Sequence, residues 1–142
     1  MTEIEFHFNA PDKLSYACRL LRKACASGKR TVVTAAPEVL GELDRALWTF
    51  SALDFIAHCH SGAAPGMVAA SPVVLAEALA SAPSHPIAVN LGAGVPAGFE
   101  KFDRLIELVG TSDADRQDAR ARWKHYADRG YTIARHDLAM QA

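Results

Sequence analysis

The stretch that most narrows the fold is Thr31-Val-Val-Thr-Ala35, apolar or β-branched on both parities. A strand of that kind has no face to offer water, so it belongs inside a sheet covered on both sides. The covers flank it. Leu14, Ala17, Cys18, Leu21 and Cys25 recur at helical spacing between Asp12, an N-cap candidate, and the terminating Gly28. Pro37 then opens a second helix running to about Trp48, with Leu40, Leu43, Ala46 and Leu47 on its inner face. Near the start, Ile4, Phe6 and Phe8 alternate with Glu3, Glu5 and His7, the period-two pattern of a strand with one buried face.

The rest of the chain continues this alternation. Phe50 to Gly66 reads as a loop holding a short strand, and Met67 to Leu75, Pro86 to Leu91 and Arg104 to Val109 read as strands. Ala76 to Ala82 has room for about one helical turn, and the glycines from Gly92 to Gly98 mark a loop. Ser112 or Asp113 caps a helix from Asp115 to about Arg129, ended by Gly130, and Tyr131 to Leu138 is extended. The order β-α-β-α-β-β-β-α-β predicts an α/β fold: a largely parallel central sheet flanked by helices. The 142 residues suit a single domain spanning 1–142.

Fifteen basic residues oppose sixteen acidic ones, a net charge of −1. Duplex DNA is held mainly by neutralising its phosphates, which argues against direct duplex binding and leaves only a local basic cluster for electrostatic recognition. Cys18, Cys25 and Cys59 form no CxxC pair, as in a reduced cytoplasmic protein. The N-terminus does not read as a signal peptide, and no apolar run reaches membrane-spanning length.

Catalytic signatures are thin. The first strand is followed by Asn9-Ala-Pro-Asp-Lys13, without the glycine a phosphate-cradling turn needs. The Gly92–Gly98 stretch follows a strand, but Pro96 removes an amide donor and no acidic residue follows at ribose-binding distance. On a strand, His58 and His60 share a face while Cys59 points away, leaving two ligands where zinc takes three or four; His85 or His7 would have to complete the set. The rival reading is therefore a small nucleotide- or metal-binding enzyme using His58, Cys59 and His60. No GxSxG or HExxH motif is present.

The last helix carries the strongest local pattern. Arg116, Arg120 and Lys124 stack at i, i+4 and i+8, with Trp123 between them and a face of Asp115, Ala119 and Tyr126 that can dock on the sheet. Asp118 and Arg122 face elsewhere. The stripe reads either as a solvated charged face anchored by an indole, or as a recognition site for an acidic segment with apolar or aromatic side chains.

Several blocks resemble one family. Leu43-Asp-Arg-Ala-Leu-Trp48, Asp54-Phe-Ile-Ala-His58, the run from Asn90 to Gly110, Arg122-Trp-Lys-His-Tyr-Ala-Asp-Arg-Gly-Tyr131 and His136-Asp-Leu138 are similar, in order, to the chi subunit of bacterial DNA polymerase III, part of the clamp-loader complex. The match is poorest from Ala63 to Ser84. The resemblance implies a Rossmann-like fold with no cofactor and no catalytic site, and the ligand spacing leads us to expect no metal. It also implies an adaptor that links a small partner, psi, to the acidic, apolar-ended C-terminal tail of single-stranded DNA-binding protein. Carried over by position, the tail site would comprise Arg116, Arg120, Trp123, Lys124, Val109 and Trp48. The psi contact would centre on Phe55, to which Leu53 and Ile56 are added as neighbours.

Overall fold

The computed structural model describes residues 1–49, 58–83 and 85–140. The elements are β1 (Glu3–Ala10), α1 (Lys13–Ala26), β2 (Thr31–Thr34), α2 (Pro37–Thr49), β3 (His58–His60), α3 (Pro65–Ala70), β4 (Val73–Ala76), β5 (Ile87–Asn90), β6 (Arg104–Gly110), α4 (Asp113–Asp128) and β7 (Ile133–Asp137). Short 3-10 turns lie at Leu79–Ser81, Phe99–Lys101 and Leu138–Met140. Among the described residues the strands form one sheet of seven, ordered β3-β4-β2-β5-β6-β1-β7. Every pairing in it is parallel.

The order explains the layering. From β1 through β2 to β3 the chain steps toward one edge, and α1 and α2 pack together on one face around Leu21, Leu40, Leu43, Leu47, Val33 and Leu108. From β3 the chain turns back toward β7. Right-handed crossovers send connections made in the reverse direction to the opposite face. Leu79, Phe99, Ala119 and Tyr126 accordingly gather there with Ile4, Phe6, Val74 and Leu105. The central strand expected at Thr31–Ala35 is β2, with all four of its strand residues buried.

Local chemistry sets the helix ends. The Asp12 carboxylate accepts from the Ser15 N–H at 3.1 Å, and Gly28 adopts a φ of 72° just past the end of α1. Ser112 caps α4 by accepting from the Asp115 N–H at 3.2 Å, so that helix starts two residues before the expected Asp115. The expected strand from Met67 to Leu75 is corrected: α3 occupies Pro65–Ala70, and only Val73–Ala76 is strand. Pro65 opens that helix, where its missing N–H costs nothing, and Pro72 separates it from a strand buried on both parities.

One buried polar network seats α4. Leu105, Glu107 and Val109 alternate on the α4 side of β6, so the Glu107 carboxylate enters an apolar layer. It meets Arg122 from α4, Nε to Oε1 at 3.0 Å, with both side chains at or below 1% exposure. Tyr126 donates to Glu107 Oε2 at 2.5 Å and Asn90 Nδ2 donates to Oε1 at 2.8 Å. Arg122 Nη1 also donates to the Ala93 carbonyl at 2.7 Å, tying in the glycine-rich loop. Burial pushes the Glu107 carboxyl above its ordinary value, while Arg122 and the hydrogen bonds from Tyr126 and Asn90 oppose that push. Burial first, and then the adjacent Glu107, raise the Tyr126 phenol far above its usual value, which keeps it a donor.

Replacing Arg122 with Leu strands a buried carboxylate and should destabilise the protein by about 3–5 kcal/mol in denaturant titration. The Glu107→Leu, Arg122→Leu double variant should recover much of that loss; equal losses in both would show that the pair acts through packing alone.

Candidate functional site

The Asp115 carboxylate accepts from the Gly110 N–H at 2.5 Å and pairs with Lys13 at 3.2 Å, locking the first turn of α4 to the end of β6. With Ala119, Arg122 and Tyr126 buried against the sheet, Arg116, Arg120 and Lys124 are exposed along the outer edge. The docking face predicted from Asp115, Ala119 and Tyr126 is present; the addition is Arg122, which faces away from the stripe because it points into the core.

Between α4 and the β1–β7 edge lies an open groove of about 640 Å³. Phe6, Phe8 and Asn9 come from β1, Val109 from β6, Arg135 from β7, and Arg116, Ala119, Arg120 and Trp123 from α4. The Trp123 ring lies on Phe6 with centroids 5.1 Å apart, tilted by 49°. The Arg135 guanidinium sits 5.5 Å from the Phe8 centroid and 5.8 Å from that of Trp123, within cation–π range. Asn9 has a φ of 62°, a left-handed conformation that asparagine tolerates better than most residues. Its side chain donates to Asp137 Oδ1 at 2.9 Å and accepts from Arg116 Nη2 at 3.0 Å. Among the described residues Arg120 has no hydrogen-bond or ion-pair partner, and no carboxylate lines the groove. The result is an apolar floor rimmed by three guanidinium groups.

Four of the six predicted site residues, Arg116, Arg120, Trp123 and Val109, meet in this groove. Two do not line it. Lys124 continues the exposed stripe past the groove. Trp48, 61% exposed at the end of α2, lies edge-on to the His58 ring at 5.5 Å. It stands apart from the groove because α2 packs on the opposite face of the sheet, and β3 is the edge strand farthest from β7. Phe6, Phe8, Asn9 and Arg135 also line the groove and were not expected there. The Phe6–Phe8 alternation was visible, but seeing that Arg135 stands beside Phe6 requires the parallel β1–β7 register. Leu53, Phe55 and Ile56 lie outside the described residues.

The rival site uses its groups differently. His58 Nε2 lies 2.8 Å from Asp44 Oδ1, Cys59 is buried and His60 is exposed. In the glycine-rich loop, the Gly92 N–H donates to Asn90 Oδ1 at 2.8 Å and the Gly94 carbonyl accepts from Asn90 Nδ2 at 3.1 Å. Gly98, at a φ of 88°, passes so close to Ala80 that a Cβ would stand 2.8 Å from its Cα. The Gly92 N–H and the Ala93 and Gly94 carbonyls are thus taken up by the buried Asn90 and Arg122.

A family model described as DNA polymerase III chi subunit, HolC, matches residues 1–134. The DNA polymerase III subunit chi of Pseudomonas aeruginosa is 31% identical over 143 aligned residues, covering 97% of this chain and 98% of that protein. The C-terminal domain of the DEAD-box protein Dbp5 superposes with a TM-score of 0.62 at 12% identity, over 98% of this chain and 91% of that one, which speaks to the fold alone. An α/β sheet with an arginine-rimmed apolar groove thus coincides with a match along nearly the whole sequence, and the chain belongs to the DNA polymerase III chi subunit family.

Proposed function

We propose that the groove beside α4 receives the acidic, apolar-ended C-terminal tail of single-stranded DNA-binding protein. On this reading the chain, acting as one domain over residues 1–142, is a non-catalytic cytoplasmic adaptor of the clamp loader. The single observation that carries the reading is Arg120: a guanidinium without a partner among the described residues, at the rim of an apolar notch walled by Phe6, Phe8, Val109 and Trp123. Arg120 takes a tail carboxylate, and Arg116 and Arg135 extend the positive rim. The terminal ring of the tail lies on the apolar floor.

The magnitudes favour a transient contact. A charge-assisted hydrogen bond contributes about 1.5–3 kcal/mol, and burying a ring contributes roughly 1.5–3 kcal/mol more. Ordering a flexible tail consumes part of that sum of roughly 3–6 kcal/mol, so these two contacts alone leave affinity no tighter than roughly tens of micromolar. Several tails displayed on one single-stranded DNA-binding protein strengthen the contact through local concentration. The second partner, a psi-like subunit, engages Phe55 with Leu53 and Ile56.

In fluorescence-anisotropy titration with a peptide matching the tail from the same organism, Arg120→Ala should bind at least about tenfold more weakly with its melting temperature unchanged. Lys124→Ala and Trp48→Ala should stay close to wild type, since neither lines the groove. Wild-type affinity in the Arg120 variant overturns the site. Added salt should weaken wild-type binding, because the rim is exposed. Phe55→Ser should impair co-purification with a psi-like partner and spare peptide binding; loss of both together would sink the two-surface arrangement.

A further inference from the structure

On the sheet face opposite the groove, β1 and β7 bring together three side chains that the adaptor reading does not use. Glu5, His7 and His136 present ligand atoms that all lie within 4.8 Å of one another, a grouping found among the described residues. Glu5 Oε1 is 3.2 Å from His7 Nε2 and 3.3 Å from His136 Nε2. Zinc–nitrogen and zinc–oxygen bonds of about 2.0–2.1 Å set the edge of a tetrahedral ligand set at roughly 3.3–3.4 Å, which both Glu5 spacings already match, the third lying within 4.8 Å. From these spacings we propose that Glu5, His7 and His136 form a zinc site clamping the edge strand β7 to β1, with water as the fourth ligand.

The surroundings meet the other requirements of such a site. Tyr16 Oη lies 2.5 Å from His7 Nδ1, so in the zinc-bound form an Nδ1–H donated to the phenol would orient the ring and free the Nε2 lone pair for the metal. Arg104 holds the other oxygen of Glu5, leaving Oε1 for a monodentate bond. Access is open: the three residues line a groove of about 520 Å³, and the His136 side chain is 43% exposed. Arg104, with Arg19 and Lys23 farther along that groove, opposes a second cation and keeps affinity below that of closed four-ligand sites. Two imidazoles and one carboxylate suit zinc better than calcium or magnesium, which take oxygen ligands.

His58 and His60 on β3, at the far edge of the sheet, provide an internal control. The test is titration of the chelator-treated full chain with zinc chloride by calorimetry, alongside cobalt(II) chloride followed by visible absorption. One zinc per chain, an intense four-coordinate cobalt band and a zinc-induced rise in melting temperature are expected. His136→Ala should weaken zinc binding at least tenfold and abolish the rise, and Tyr16→Phe should weaken it about 10–100-fold. The His58→Ala, His60→Ala double variant should bind as wild type. Absence of binding, wild-type affinity in His136→Ala, or loss in the β3 double variant instead would each overturn the site.

Discussion

The architecture turns on a buried ion pair. A carboxylate at Glu107 inside an apolar layer is costly unless it is both paired and hydrogen-bonded, and Arg122, Tyr126 and Asn90 together supply what it lacks. Because Arg122 and Tyr126 come from one helix and Asn90 from β5, meeting those needs fixes the rotation and depth of α4 on the sheet. The same guanidinium holds the Ala93 carbonyl, so the loop after β5 is set by the same contact. With the inner face of α4 committed in this way, its remaining cations are left along the outer edge.

The groove is a product of topology as much as of composition. The step from β6 to β7 passes over β1, so α4 spans two aromatic residues of β1 and leaves its flank open toward β7. Parallel pairing then brings Arg135 alongside Phe6 and its guanidinium over Phe8 and Trp123. A chain with a net charge of −1 thereby concentrates three arginines around one apolar notch. On the proposed reading such a site takes short anionic segments with greasy ends, whereas binding a long phosphate backbone draws on a broad basic surface.

Much of this was legible from residue pattern. The β-branched core of β2, the caps at Asp12 and Ser112 and the cationic stripe of α4 all express local rules of burial and hydrogen bonding, and the structure reproduces them. The rest was not legible because local rules there are ambiguous or silent. Gly66-Met-Val-Ala-Ala70 is compatible with helix or strand, and Pro65 decided for helix. Arg122 reads like any helical arginine until Glu107 is seen opposite it. Trp48 is near the groove in neither layer nor edge, a matter of which face each crossover takes.

Sequence alone determined the class of fold, the positions of most elements and which side of α4 would be charged, because periodicity and capping depend on neighbours a few residues apart. Only the tertiary structure decided which strands adjoin. That choice assembled Phe6, Phe8 and Arg135 beside α4, sent Trp48 to the other side, and gathered Glu5, His7 and His136 on the reverse face. The physical reason is that strand order and crossover hand are settled by burying both faces of the whole sheet at once, a condition that no short window of residues contains.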